Sequence, residues 1–139
     1  YDSLQFPFSY LSGDKDIELV NLCKRNNVGF IAMKGLSGGI ITNSAAAYAF
    51  MTQFDNVLPI WGIQRESELD EFLSYEQNPP KMDGEIAELI LHDKKELSGN
   101  FCRGCAYCEP CPAGIQISLS ARMLWLLRRA PSNNFTTPE

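Results

Sequence analysis

Four cysteines lie within ten residues of the chain, and their even spacing is its most informative chemical feature. The run reads Cys102-Arg-Gly-Cys105-Ala-Tyr-Cys108-Glu-Pro-Cys111, and Pro112 follows at once. Several thiolates on one tight loop are the ligands that an iron–sulfur cube requires. The run therefore predicts a metal site and a redox protein, with Cys102, Cys105, Cys108 and Cys111 as the candidate ligands.

The spacing predicts a single [4Fe–4S] cluster. It departs slightly from the bacterial ferredoxin run C-x2-C-x2-C-x3-C-P, because its last gap is two residues instead of three. A second cluster lacks ligands, since Cys23 is the one other cysteine. The fourth ligand is then Cys111, Cys23 or a group outside the chain. Cys23 also lies in an apolar helical pattern that favours a buried, inert thiol.

Zinc and disulfides are the alternative interpretations of the cysteine run. Structural zinc usually uses two cysteine pairs a dozen or more residues apart, whereas two residues separate the pairs here. Disulfides suit small secreted chains, and five cysteines is an odd number for complete pairing. Clustered cysteines without partners elsewhere favour a reducing compartment, so a cytoplasmic location is expected.

Composition limits the classes of partner. The 139 residues are 45% hydrophobic and 11% aromatic, enough to build one packed domain or one domain with a small module. No apolar run has the length of a membrane span. The net charge of −5 argues against nucleic acid. Arg122, Arg128 and Arg129 suggest either a docking surface for an acidic redox partner or a solvated helix face.

The positions of turn and capping residues and the hydrophobic periodicity predict alternating strands and helices, an order typical of parallel βαβ units. Asp14, Asn43 and Asp83 are the predicted helix caps. One predicted strand ends near residue 7, and two others span 28–33 and 57–61. The predicted helices span 14–25, 44–54, 66–75, 83–97 and 117–129. Asn78-Pro79-Pro80 reads as a linker, which gives predicted domains of 1–78 and 79–131 with a frayed tail at 132–139.

Three segments and the cysteine run together resemble a known family. The segments are LQFPFS at 4–9, VGFIAMKGL at 28–36 and LPIWGIQR at 58–65, the last followed by ELD at 68–70. In order and spacing they resemble the aldo/keto reductases, in particular the bacterial type that carries a C-terminal iron–sulfur module. The resemblance covers residues 1 to about 130. The chain also opens without Met, so we expect a piece of a longer protein.

The resemblance implies a fold and an activity. The family folds as a (β/α)8 barrel of about 250 residues. The expected fold class is therefore α/β: a partial TIM-type barrel made of the last three β/α units, followed by a small all-helical iron–sulfur module. Bare strand edges would favour dimerisation or association with the missing barrel half. The family reduces small carbonyl substrates with NAD(P). Its catalytic Asp, Tyr, Lys and His lie on earlier strands, so no catalytic residue is expected here and the chain alone should be inactive.

Eight residues match the family's cofactor-binding positions. Gln5 aligns with the residue that hydrogen-bonds the nicotinamide carboxamide, and Met33 stands where relatives often carry a stacking aromatic. Lys34, Gly35 and Gly38 belong to a loop that either cradles the pyrophosphate or forms an ordinary strand–helix turn. At the adenosine end the matching residues are Gly62, Gln64 and Arg65. Arg65 suits a 2′-phosphate, but one Arg does not decide NADP over NAD.

Two histidine- or lysine-based interpretations are set aside. His92 is the one histidine of the chain and is interpreted as a surface residue. Lys34 follows a late strand and does not match the family's catalytic Lys. Two other functions stay open beside the reductase-like one: a ferredoxin-like electron-transfer or binding module, and a purely structural cluster or zinc domain. A separate redox partner protein is compatible with the reductase-like function and with the electron-transfer module.

Overall fold

The computed structural model describes residues 1–97, 102, 104 and 106–129. It contains three strands and five helices in the order βαβαβααα. The strands are β1 (Ser3–Pro7), β2 (Gly29–Met33) and β3 (Val57–Pro59). The helices are α1 (Asp14–Arg25), α2 (Ser44–Met51), α3 (Glu66–Gln77), α4 (Gly84–Glu96) and α5 (Ile117–Arg129).

The three strands form one parallel sheet with β2 in the centre. Gln5 of β1 is in register with Ile31 of β2, which pairs in turn with Leu58 of β3. Parallel strands need crossover connections, and α1 and α2 supply them. Alternate side chains point to opposite faces. Phe30 and Ala32 are accordingly buried, whereas Leu58 on the other face is 65% exposed.

The predicted fold class is wrong for the described residues. They form an open sheet of three strands with free edges at β1 and β3, and no TIM-type barrel. Closing a barrel requires enough tilted strands for the last to pair with the first, which three strands do not provide. An alternating βαβ pattern fits an open sheet as well as a barrel. The pattern therefore identified the parallel units but not their closure.

The predicted all-helical iron–sulfur module is also absent from the described part of the chain. Ile90 of α4 belongs to the same core cluster as Phe30 of the sheet and Phe50 of α2. Phe8 lies at the centre of this core, with ring centroids 5.6 Å from Phe30 and 5.3 Å from Phe54. The helix after the linker therefore packs on the α/β core. The predicted domain boundaries themselves stay predictions, and the tail at 132–139 lies outside the described residues.

Short-range sequence signals place the starts of the helices well, whereas α2 ends at Met51 and not at the predicted residue 54. Asn43 Oδ1 accepts from Ala46 N at 2.8 Å, and Asp83 Oδ1 accepts from Ile86 N at 2.9 Å, so both predicted caps are confirmed. The cap of α1 is Gly13, one residue before the predicted Asp14. None of the described helices is long and apolar enough to cross a membrane.

Candidate functional site

A cleft of about 1070 Å³ lies where the three strands end. The carboxyl ends of parallel strands share one edge of a sheet, and the loops that follow them enclose the crevice in which open α/β sheets bind ligands. The structure brings all but one of the predicted cofactor residues to this cleft. Those that line it are Gln5, Met33, Lys34, Gly38, Gly62, Gln64 and Arg65.

The predicted nicotinamide end is formed by neighbouring strands. Gln5 Nε2 lies 3.7 Å from Met33 Sδ, a long N–H···S contact between β1 and β2. The Gln5 amide is exposed and Met33 is half-buried. The thioether is a weak acceptor, and the contact uses the nitrogen of the amide and not its oxygen.

The loop after β2 is a sequence of tight turns. Gly38 and Gly39 have φ values of 64° and 90°, in the region that favours glycine. Ser37 N donates to Lys34 O at 2.7 Å, and Gly39 N donates to Leu36 O at 3.0 Å. These amides are used inside the loop, as in an ordinary turn. A phosphate near this loop would therefore rely on the Lys34 side chain rather than on those two N–H groups.

Gly35 is the predicted cofactor residue that does not line the cleft. It is buried, and a Cβ at its position would lie 2.8 Å from Cζ3 of Trp61. Trp61 in turn stacks on Phe72, with ring centroids 4.7 Å apart. Gly35 therefore allows an indole ring to approach the backbone and has a packing role.

A carboxylate occupies the start of α3, where an anion would otherwise bind. Glu68 Oε2 accepts from Gln64 N at 2.8 Å and from Arg65 N at 3.2 Å. Its other oxygen is 4.0 Å from Arg65 Nη1. A phosphate at this end of the cleft has to exchange with the Glu68 carboxylate for the same donors.

Helix α5 forms a wall of the cleft, which the sequence did not reveal. Leu126 and Arg129 line the cleft, and Arg122 lies on the same helix face, one turn before Leu126. The interpretation as a solvated basic face is wrong for two of the three arginines. Arg122 is buried and the Arg129 side chain is 14% exposed, whereas Arg128 is exposed. The sequence signal that could have shown this is the spacing of four residues between Arg122 and Leu126, which places both on one face of the helix.

Arg129 anchors the carboxyl end of α5 to α4. It donates from Nη2 to Asp93 Oδ1 at 2.6 Å and from Nη1 to Glu96 Oε2 at 2.9 Å. Tyr10 Oη donates to Asp93 Oδ2 at 2.5 Å. Burial raises the pKa of Tyr10 above its ordinary value, and the hydrogen bond to Asp93 raises it further. His92 is exposed, as predicted, and its Nδ1 is 3.9 Å from Asp93 Oδ1.

His92, Asp93 and Glu96 place three potential metal-ligand atoms within 4.8 Å of one another. Both carboxylates are already paired with Arg129, which supplies the positive charge that a cation would bring. The grouping is therefore explained by the ion pairs between α4 and α5.

Arg122 presents the opposite situation, because it is buried and no described carboxylate is paired with it. Nη2 donates to Ser37 O at 2.9 Å and also to Gly38 O, while Nε has no hydrogen-bond partner in the part of the chain that the structure describes. None of the described ion pairs includes Arg122. Burial lowers the pKa of Arg122, and neighbouring Cys102 acts in the opposite direction. Among the described residues, Cys102 of the cysteine run is a neighbour that could supply a compensating negative charge.

The described part of the cysteine run has features that suit an iron–sulfur cluster. Gly104 N donates to Cys102 Sγ at 3.4 Å, the kind of bond that stabilises a cluster thiolate. Cys102 and Cys111 are half-buried, Cys108 is exposed, and all three are free thiols. The buried guanidinium of Arg122 adjoins the same loop, since a Cβ at Gly104 would lie 3.3 Å from its Cζ. Cys105, the remaining predicted ligand, lies outside the described residues.

The described thiols do not form a compact zinc site. Ligands around tetrahedral zinc lie about 3.8 Å apart, since each Zn–S bond is about 2.3 Å. Cys102, Cys108 and Cys111 are not among the described groups whose ligand atoms lie within 4.8 Å of one another. Cys23 is buried in the core with Val20, as predicted for an inert thiol.

Comparisons of the chain with models of protein families, with curated proteins and with solved structures find no match.

Proposed function

We propose that this chain supplies the nicotinamide-cofactor side and a [4Fe–4S] electron-transfer centre of an oxidoreductase that resembles the aldo/keto reductases. One observation carries the proposal. Helix α5, which follows the cysteine run, forms a wall of the cleft that the predicted cofactor residues line. A ligand in the cleft and a cluster in the cysteine run would therefore contact the same helix.

Each group of residues has a distinct part in binding. Gln5 offers an amide to the nicotinamide carboxamide, and Met33 offers a polarisable surface to the ring. Lys34 and Arg65 bring positive charge to the phosphates. The four cysteines of the run would hold the cluster, which supplies one-electron transfer when bound. No proton donor for a carbonyl group is assigned to this chain, so reductase activity is expected only together with residues outside it.

Metal analysis tests the cluster half of the proposal. Protein purified without oxygen should show a broad visible absorption band with about four irons and four sulfides per chain. Cys108→Ser should lower the iron content, whereas Cys23→Ala should leave it unchanged. About one zinc without sulfide would refute the cluster. A midpoint potential within the accessible range distinguishes an electron-transfer centre from a structural one.

Cofactor binding tests the other half. NADPH and NADH fluorescence titrations should give saturable binding to the purified chain. Gln5→Ala should weaken binding about fivefold, since one hydrogen bond contributes about 1 kcal/mol. Ser3→Ala is the matched control, because Ser3 is an exposed residue on the same strand, at the end away from the cleft. Equal weakening by both changes would place the cofactor elsewhere.

A second function is favoured by Glu68. Its carboxylate occupies two backbone donors at the start of α3, as expected of a cleft that does not bind phosphate. In that case the chain is a ferredoxin-like electron-transfer or binding module on an α/β scaffold. A loaded cluster together with no binding of either nucleotide would establish this alternative.

A further inference from the structure

Two glycines from different loops leave room for the Arg122 guanidinium. A Cβ at Gly38, in the loop after β2, would lie 2.7 Å from Arg122 Nη1. A Cβ at Gly104, between two predicted cluster ligands, would lie 3.3 Å from Arg122 Cζ. Both glycines have positive φ, 64° and 67°. The guanidinium therefore fills a slot whose two sides belong to the cleft loop and to the cysteine run.

The two sides of this slot differ electrically. On the cleft side the guanidinium donates to the carbonyl oxygens of Ser37 and Gly38. On the other side lies the cysteine run, where a Cβ at Gly104 would lie 3.3 Å from Arg122 Cζ and Gly104 N donates to Cys102 Sγ at 3.4 Å. A buried cation without an anion is costly, because its hydration is lost without compensation. A cluster-bound thiolate at Cys102 would provide that compensation, whereas a neutral thiol would not.

We propose that Arg122 is a positioning residue that couples the two sites, so that loading the cluster raises the affinity of the cleft for the nicotinamide cofactor. This inference rests on the proposed function. The negative charge of the loaded cluster holds the guanidinium in its slot. The guanidinium then fixes the carbonyl groups of Ser37 and Gly38, and Gly38 lines the cleft. By reciprocity, cofactor binding also stabilises the loaded cluster by the same factor.

The test compares NADPH affinity with and without the cluster. The full chain is prepared as the metal-free form and as the anaerobically reconstituted form, and Kd is measured for each by NADPH fluorescence. For the wild type, we expect binding to the loaded form to be tighter by about tenfold, within the usual range of coupling between sites. For Arg122→Gln, the ratio of the two Kd values should fall to near one.

Two further measurements separate coupling from loss of folding. Gly104→Ala places a methyl group against the guanidinium and should also reduce the ratio. Gly114→Ala is its matched control, since Gly114 has a φ of 70° but a Cβ there meets no atom within 4 Å. In addition, removing the positive charge in Arg122→Gln should shift the cluster midpoint potential to a more negative value, a readout that does not depend on cofactor.

The outcomes distinguish this inference from the proposed function. Equal NADPH affinities of the loaded and metal-free wild type would overturn the coupling and leave the proposed function intact. An unchanged ratio in Arg122→Gln would show that coupling does not pass through Arg122 and would overturn its role. If no form binds NADPH or NADH, or if no cluster is incorporated, the proposed function fails and the inference fails with it.

Discussion

Helix α5 carries two arginines on one face, one buried and one mostly buried, whose charges are satisfied in opposite ways. Arg129 has two carboxylate partners, Asp93 and Glu96, at 2.6 and 2.9 Å. Arg122, two turns earlier, has only backbone carbonyl oxygens and a neighbouring thiol in the described structure. The charge of Arg129 is neutralised by side chains of the chain itself, so we expect this arginine to serve stability. The charge of Arg122 has no carboxylate partner among the described residues, so we expect this arginine to serve a function.

The largest effect on stability is expected at the Arg129 ion pairs. Asp93→Asn should lower the free energy of unfolding by about 3 kcal/mol, because it leaves Arg129 mostly buried with one partner. Urea denaturation of the metal-free chain measures the change. Glu96→Gln is the control, and its cost should stay below about 1 kcal/mol because the Glu96 side chain is 40% exposed. Equal costs would show that burial of Asp93 does not matter.

A smaller effect with a distinct pH dependence is expected from Tyr10→Phe. Loss of the hydrogen bond to buried Asp93 should cost about 1.5 kcal/mol near pH 7. Burial raises the Tyr10 pKa in the folded state, so the folded chain holds this proton more tightly than the unfolded chain. Stability is therefore complete below the ordinary pKa of 10.0 and falls as the pH rises above it.

Urea midpoints recorded from pH 7 to pH 11 test this pH dependence. The wild type should lose stability above pH 10, and Tyr10→Phe should lose less over the same interval. Tyr1→Phe, at a fully exposed tyrosine, serves as the control and should follow the wild type. Identical alkaline slopes for all three proteins would contradict a role for Tyr10.

Arg122→Gln sharpens the comparison because the size of its effect on stability depends on whether the cluster is loaded. In the metal-free chain, the lost hydrogen bonds are offset by removal of a buried, uncompensated charge, so we expect a change within about 1 kcal/mol. In the loaded chain the same substitution should be more destabilising, since the charge is then paired. Thermal unfolding under anaerobic conditions compares the two forms. A larger loss in the metal-free chain would contradict this account of Arg122.

Arg128→Ala should have the smallest effect. The Arg128 guanidinium lies 5.7 Å from the centre of the Trp125 ring and is exposed. An exposed cation–π contact contributes about 0.5 kcal/mol. A change in melting temperature comparable to that of Asp93→Asn would show that exposure on α5 does not set the importance of its arginines.

Local features of the fold were predictable, and its closure was not. The caps Asn43 and Asp83 were visible in the sequence because side-chain capping acts over three residues. The continuous apolar run at 28–33 predicted a buried parallel strand, and β2 is the central strand of the sheet, with Phe30 and Ala32 buried. Whether such strands close depends on how many pair, a non-local property that the same pattern leaves undetermined. The position of α4 on the shared core depends on Ile90, which a linker-based division does not reveal.

The candidate site was predictable where it follows the strand ends. Met33 and Lys34 come at the end of β2 and Gln5 lies in the middle of β1, and parallel pairing brings the three residues to the same cleft. The contribution of Arg122 and Arg129 was not visible, because a basic residue near the end of a helix is usually solvated. Their burial depends on the packing of α5 against the cleft and α4, a long-range contact that the sequence pattern does not show.

The Glu68 carboxylate gives the cleft a tethered anion of its own. It already accepts from the N–H groups of Gln64 and Arg65, so an incoming anion replaces a bound group rather than filling an empty position. Selectivity at this end of the cleft is then a matter of competition. A doubly charged phosphate monoester has more charge and more acceptor oxygens than one carboxylate, whereas a neutral hydroxyl has neither. For a ligand that binds at this end of the cleft, competition with Glu68 favours a phosphate group over a weakly charged one.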